Sequence, residues 1–130
     1  MGSLENNIKN INDYLFDIIP FEWTSPITAI STTNLINAIT ISFPYDFYLT
    51  SIAIATINTT ANTNIYITIG DSVSFNDQSS PASISPGASI NFSWTVPFIP
   101  KVLANNNLSL YAYSSAVGSI QLFLLGFRLR

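Results

Sequence analysis

The end of the chain constrains the fold more than any other stretch. Residues 108–130 read LSLYAYSSAVGSIQLFLLGFRLR, two strand-like runs joined by a Ser/Gly turn. In the first run Leu108, Leu110 and Ala112 fall on one side and Ser109, Tyr111 and Tyr113 on the other, because successive side chains of a strand alternate. In the second, Ile120, Leu122 and Leu124 share one face, and Phe123, Leu125, Phe127 and Leu129 share the opposite one. A strand apolar on both faces needs cover on both, whereas a small antiparallel domain normally leaves one face to water. This predicts a central strand with a further layer on its back, or a second subunit that supplies the cover.

The alternation is not confined to the end. Ile27–Ser31 is a short candidate strand, and Leu35, Ile39, Ile41 and Phe43 line one face of the next, with Asn37 the odd member. Tyr48–Ile57 follows, its Ile52 and Ile54 opposed by the small Ala53 and Ala55. Ile65, Ile67 and Ile69 alternate with Asn64, Tyr66 and Thr68, and Ile90, Phe92, Trp94 and Val96 alternate with Ser and Asn. Pro86-Gly87, Pro97, Pro100 and Asn105-Asn106-Asn107 punctuate the runs as turns. Short strands with regular turn signals predict an all-β, single antiparallel β-sandwich over residues 27–130.

Residues 1–19 have a different period. Leu4, Ile8, Ile11, Leu15 and Ile18 recur at alternating spacings of four and three, the seam of a short coiled coil or one face of an amphipathic helix. Ser3 suits a helix cap and Pro20 ends the pattern. Asn6, Asn7, Asn10 and Asn12 are poor helix formers. A helix against the chain's own sandwich, or an arm that orders on docking, therefore stands beside the coiled coil. Residues 20–26, bounded by Pro20 and Pro26, read as an extended linker.

With 130 residues the chain holds one domain, and 48% hydrophobic content supplies its core. Only 8% of residues are charged, against roughly 25% in an ordinary soluble domain. Interface cores are poor in Lys, Glu and Asp, so the shortage suits a surface spent on neighbours or covered by glycans. A low-charge domain adapted to a salty or acidic setting would share the composition. Four basic residues within a net charge of −3 do not form the positive face that nucleic acid requires. No apolar run is long enough to span a bilayer, and the start lacks the pattern of a secretory signal.

Catalytic and metal chemistry find little support. The chain has no Cys and no His, which removes thiolate nucleophiles, the commonest general base and the commonest metal ligands. Asp71 and Asp77 are the close acidic pair of the β domain, and with Asn76 they would be candidate Ca²⁺ ligands. They sit in turn-like sequence without EF-hand spacing. No catalytic residue, metal site or cofactor is predicted; the chain is read as a non-enzyme. Tyr111 and Tyr113 form a candidate ligand platform of the kind that grips sugar rings, with Trp23 and Tyr66 as further candidates if exposed. Cross-strand aromatic packing would use the same residues. Asn58, Asn91 and Asn107 each begin an Asn-x-Ser/Thr sequence.

A short apolar leading segment, a Pro-bounded linker and a compact sandwich that closes on an apolar strand resemble the small jelly-roll proteins of viruses and phages. These include capsid-decoration proteins, head fibres, spikes and turret components. The closing run, with Gly126-Phe127 in its last strand, is also similar to the trimeric C1q/TNF-like jelly rolls. The resemblance implies a homo-oligomer, trimer or pentamer, on the surface of a virion or otherwise extracellular. Leu4, Ile8, Ile11, Leu15 and Ile18 would dock to capsid proteins or to copies of themselves, and Phe123, Leu125 and Phe127 would join the sandwiches. The reading from another class is a carbohydrate-binding or adhesin module acting on host surface glycans through Tyr111 and Tyr113.

Overall fold

The computed structural model describes residues 18–70, 73–75 and 79–129. Within them lie eleven strands: β1 (Ile18–Thr24), β2 (Thr28–Ala29), β3 (Ile36–Ile41), β4 (Phe47–Ile57), β5 (Thr63–Ile69), β6 (Val73–Phe75), β7 (Ala82–Ile84), β8 (Ser89–Ser93), β9 (Lys101–Val102), β10 (Leu108–Ser114) and β11 (Ser119–Leu129). No helix among the described residues is long and apolar enough to cross a membrane. Leu4, Ile8, Ile11 and Leu15, and with them the predicted N-terminal helix or arm, lie outside the described residues, as do Asp71, Asn76 and Asp77.

The strands form two antiparallel sheets, one six-stranded in the order β1-β11-β4-β8, with β2 added to β11 and β9 to β4. The other is five-stranded in the order β3-β10-β5-β6, with β7 added to β5. The pairings β1 with β11, β3 with β10, β4 with β8 and β5 with β7 are nested one inside the next. Successive pairs alternate between the sheets, as in a long hairpin wound into a jelly roll.

The period-two pattern sets the core. Ile52 and Ile54 of β4, Ile65 and Ile67 of β5, Leu110 of β10, and Ile120, Leu122 and Leu124 of β11 are fully buried between the sheets. One end is closed by an aromatic cluster in which Phe21 stacks on Phe47 at 4.4 Å and meets Phe43 edge-on at 5.0 Å. The charged residues described are Glu22 on β1 and Asp46, Lys101 and Arg128 at this same end.

The sequence and the structure differ in two places, at residues 18–24 and at Val96. The stretch read as an extended linker is extended, but Ile18–Thr24 pairs with β11 over its whole length. It is an edge strand, where Pro20 costs no hydrogen bond needed inside a sheet, and Phe21 is buried while Glu22 is exposed. Ser25 then carries the chain on along β11: its N–H donates to the Leu122 carbonyl at 2.8 Å and its Oγ accepts the Leu122 N–H at 2.9 Å. Val96, read as inward-facing, is 81% exposed because β8 ends at Ser93 and the chain swings out before returning as β9. Asn37 is the odd member of its face because the β10–β3 register shifts between Leu110 and Tyr111. Ile39 stays opposite Leu110 in the core, while Asn37 moves opposite Tyr111 on the outside.

Candidate functional site

Each sheet has an outer face, and the two differ in chemistry. On the six-stranded sheet, Phe123, Leu125 and Phe127 point away from the core. Their cross-strand partners are Ala53, Ser51 and Tyr48 on β4, and Thr24, Glu22 and Pro20 on β1. The register shifts between Leu125 and Gly126, so Thr50 becomes the extra residue of a bulge and donates its hydroxyl to the Leu125 carbonyl at 3.1 Å. Beyond the bulge Phe127 stacks on Tyr48, with ring centroids 5.0 Å apart. Small Ala53 leaves room above Phe123, and Leu125 is 47% exposed. The result is one apolar strip, Phe123–Leu125–Phe127–Tyr48, interrupted by a single carboxylate, Glu22.

The strip runs into a groove of about 350 Å³ lined by Tyr45, Asp46, Tyr48, Lys101 and Leu129. Lys101 lies 3.6 Å from Asp46 and 5.7 Å from the Tyr48 ring centroid, and Arg128 sits 4.1 Å over the Tyr45 ring. Both cations are thus held against aromatic rings. Ile18 lies beside Leu129 at this end, where the leading segment joins the sandwich.

The outer face of the five-stranded sheet carries Asn37 and Thr40 from β3, Ser109, Tyr111 and Tyr113 from β10, and Asn64, Tyr66 and Thr68 from β5. None is charged. Tyr111 stacks on Tyr66, its cross-strand partner, at 4.3 Å with planes 5° apart. Burial pushes the Tyr66 phenol above its usual range, and Tyr111 beside it adds to the shift. Tyr113 is one step further along the same face, opposite Asn64. Trp23 is instead half-buried, edge-on to Phe43 at 6.1 Å. It packs against the core.

Below the tyrosine pair lies a cleft, and the Asn107-Leu108-Ser109 sequence runs along it. It measures about 330 Å³ and is lined by Thr68, Gly70, Asn105, Asn106, Asn107 and Ser109. Thr68 and Ser109 are cross-strand partners that form its floor. The Asn turn is pinned by its backbone: Asn105 N–H donates to the Phe43 carbonyl at 2.8 Å, Asn106 N–H to that of Leu103 at 3.1 Å, and Gly70 N–H to that of Asn107 at 2.8 Å. Gly70 has φ of +56°, and a β-carbon there would come 3.0 Å from the Asn106 side-chain nitrogen. A glycine is therefore needed for the Asn106 carboxamide to lie against this backbone. Among the described residues no three Asp, Glu, His or Cys side chains gather as a metal site.

No protein-family profile and no curated protein matches the sequence. Solved structures do match the fold. A chain in the atomic structure of Sulfolobus turreted icosahedral virus superposes with a TM-score of 0.53 at 11% identity, over 86% of this chain and 39% of the viral one. This chain thus spans about two fifths of that protein's length. A chain of sacbrood virus of honeybee in expansion state II gives a TM-score of 0.50 at 6% identity, covering 85% of this chain and 84% of its own. A second sacbrood virus structure gives 0.50 at 6% identity, over 85% and 69%. At these identities the likeness is one of fold.

Proposed function

We propose that this chain is a non-enzymatic structural subunit of a virus particle, a decoration, spike or fibre protein that self-associates and docks to other capsid proteins. The jelly-roll order of the sheets, shared with chains of virus particles, supports the virion setting. The observation that carries the assembly step is the apolar strip Phe123–Leu125–Phe127–Tyr48 on the outer face of an otherwise complete sandwich. Half-exposed, this row gives a lone sandwich only part of the stabilisation that its apolar side chains could supply. A second copy gains about 1.5–3 kcal/mol for each one it buries fully. In a trimer or pentamer the six-stranded sheets would face one another and the five-stranded sheets would face out. The segment bearing Leu4, Ile8, Ile11 and Leu15 would leave from the Arg128 end, where Ile18 is already part of β1, and reach the particle.

The absence of cysteine allows a clean test. A single Leu125→Cys is placed in the strip and a single Thr33→Cys in an exposed loop at the opposite end. In the assembled protein, maleimide labels position 33 quickly and position 125 slowly, and dilution narrows the difference. Equal labelling at every concentration would rule the strip out as an interface.

A further inference from the structure

We propose that the cleft between the Asn105–Asn107 turn and the Thr68–Ser109 pair is a binding site for an uncharged sugar ring. The inference stands apart from the assembly reading, because the cleft is on the other sheet and complete within one subunit.

The size of the cleft, about 330 Å³, falls in the range of roughly 300–1,000 Å³ typical of small-molecule sites. Its chemistry narrows the ligand. The carboxamides of Asn105, Asn106 and Asn107 make no side-chain hydrogen bond within the described chain, nor does the Thr68 hydroxyl, whereas Ser109 Oγ is 3.2 Å from Thr40 Oγ1. Each carboxamide offers an acceptor oxygen beside two N–H donors, and each hydroxyl can do both. That array matches a polyol, whose neighbouring hydroxyls also donate and accept. An apolar ligand would leave these groups unpaired on binding, which is costly. Among the described residues none on this face is ionised at neutral pH, so none offers an opposite charge to an anion or cation.

The floor and the wall are both rigid. Thr68 and Ser109 are fixed by the sheet register, and the turn by the three backbone hydrogen bonds that leave its side chains free. One step along the same strands, Tyr66 and Tyr111 stand as a stacked pair. Each has one face occupied by the other, and neither ring lines the cleft. A pyranose presents a rim of neighbouring hydroxyls to the Asn and Thr groups that do. The site therefore lies beside the predicted Tyr111–Tyr113 platform and is separate from it.

The test uses the full-length protein with methyl glycosides of glucose, galactose, mannose and N-acetylglucosamine, followed by saturation-transfer NMR and titration. At least one probe binds saturably, with affinity unchanged between about 0.05 and 0.5 M salt, because no charge is involved. Asn106→Ala and Asn107→Ala each weaken that binding about fivefold or more while leaving the melting temperature in place, since neither carboxamide holds the fold. Glu22→Gln on the other sheet binds as wild type. No saturable binding of any probe, binding that survives both Asn substitutions, or binding that falls steeply with salt would overturn the proposal.

Discussion

Gly126 lies directly against the backbone of Tyr48: a β-carbon on Gly126 would overlap the Tyr48 carbonyl oxygen. The contact sits at the register shift between β11 and β4, and it is what lets Phe127 reach the Tyr48 ring one residue later. Gly126→Ala must push two central strands apart. We expect it to cost about 1–3 kcal/mol, the scale of overpacking in a tight core, seen as a lower midpoint in urea. Wild-type stability in this variant would mean that the strands can separate freely here.

Neighbouring residues of β11 should respond in opposite ways. Leu124 is fully buried between the sheets, so Leu124→Ala removes core contacts and costs about 2–5 kcal/mol of unfolding free energy. Phe123 is half-buried and points outward. Phe123→Ser is expected to cost the isolated subunit only about 1 kcal/mol and to dissociate the assembly. Denaturant melts and sedimentation of the two variants separate the effects.

Asp46 contributes through its backbone contact more than through its ion pair. Its Oδ1 accepts the Ala104 N–H at 2.7 Å, tying the β3–β4 loop to the β9–β10 turn. The Lys101–Asp46 pair spans 3.6 Å with both side chains nearly half exposed, and such pairs are worth about 0–1 kcal/mol. Lys101→Gln should therefore lower stability by under about 0.5 kcal/mol, and Asp46→Ala by about 1 kcal/mol or more. Equal losses would show that the ion pair dominates.

The Tyr66–Tyr111 stack gives stability a dependence on alkaline pH. Burial first, and the neighbouring Tyr111 second, raise the Tyr66 phenol. A group whose folded value is raised keeps its proton longer when folded, so unfolding releases protons above the ordinary tyrosine value of about 10. The Tyr66 contribution is intact below that pH and is lost as pH rises through the folded value. Tyr66→Phe should flatten the alkaline loss of stability, followed by denaturant melts at rising pH. An equally steep loss in the variant and the wild type would contradict the assignment.

The sequence was most legible where its period was strict. The two apolar faces of β11 and the alternation in β5 and β10 follow directly from Ile, Leu and Phe spacing. Asn37, which broke its row, marked a real bulge. The pattern failed where it continued past a strand's end, as at Val96, and where prolines disguised an edge strand, as at Pro20. There the alternation of Phe21, Glu22 and Trp23 was the available signal. The pairing of Tyr111 with Tyr66 and of Ser109 with Thr68 joins segments far apart in sequence. No local pattern encodes it, so the cleft emerged only from the register.

Self-association through the strip is read from the solution mass of the full-length protein by light scattering, beside that of Phe123→Ser. The 14.2 kDa chain should form a discrete trimer or pentamer that falls to folded monomers in the variant. A wild-type protein that remains monomeric at high concentration would contradict it.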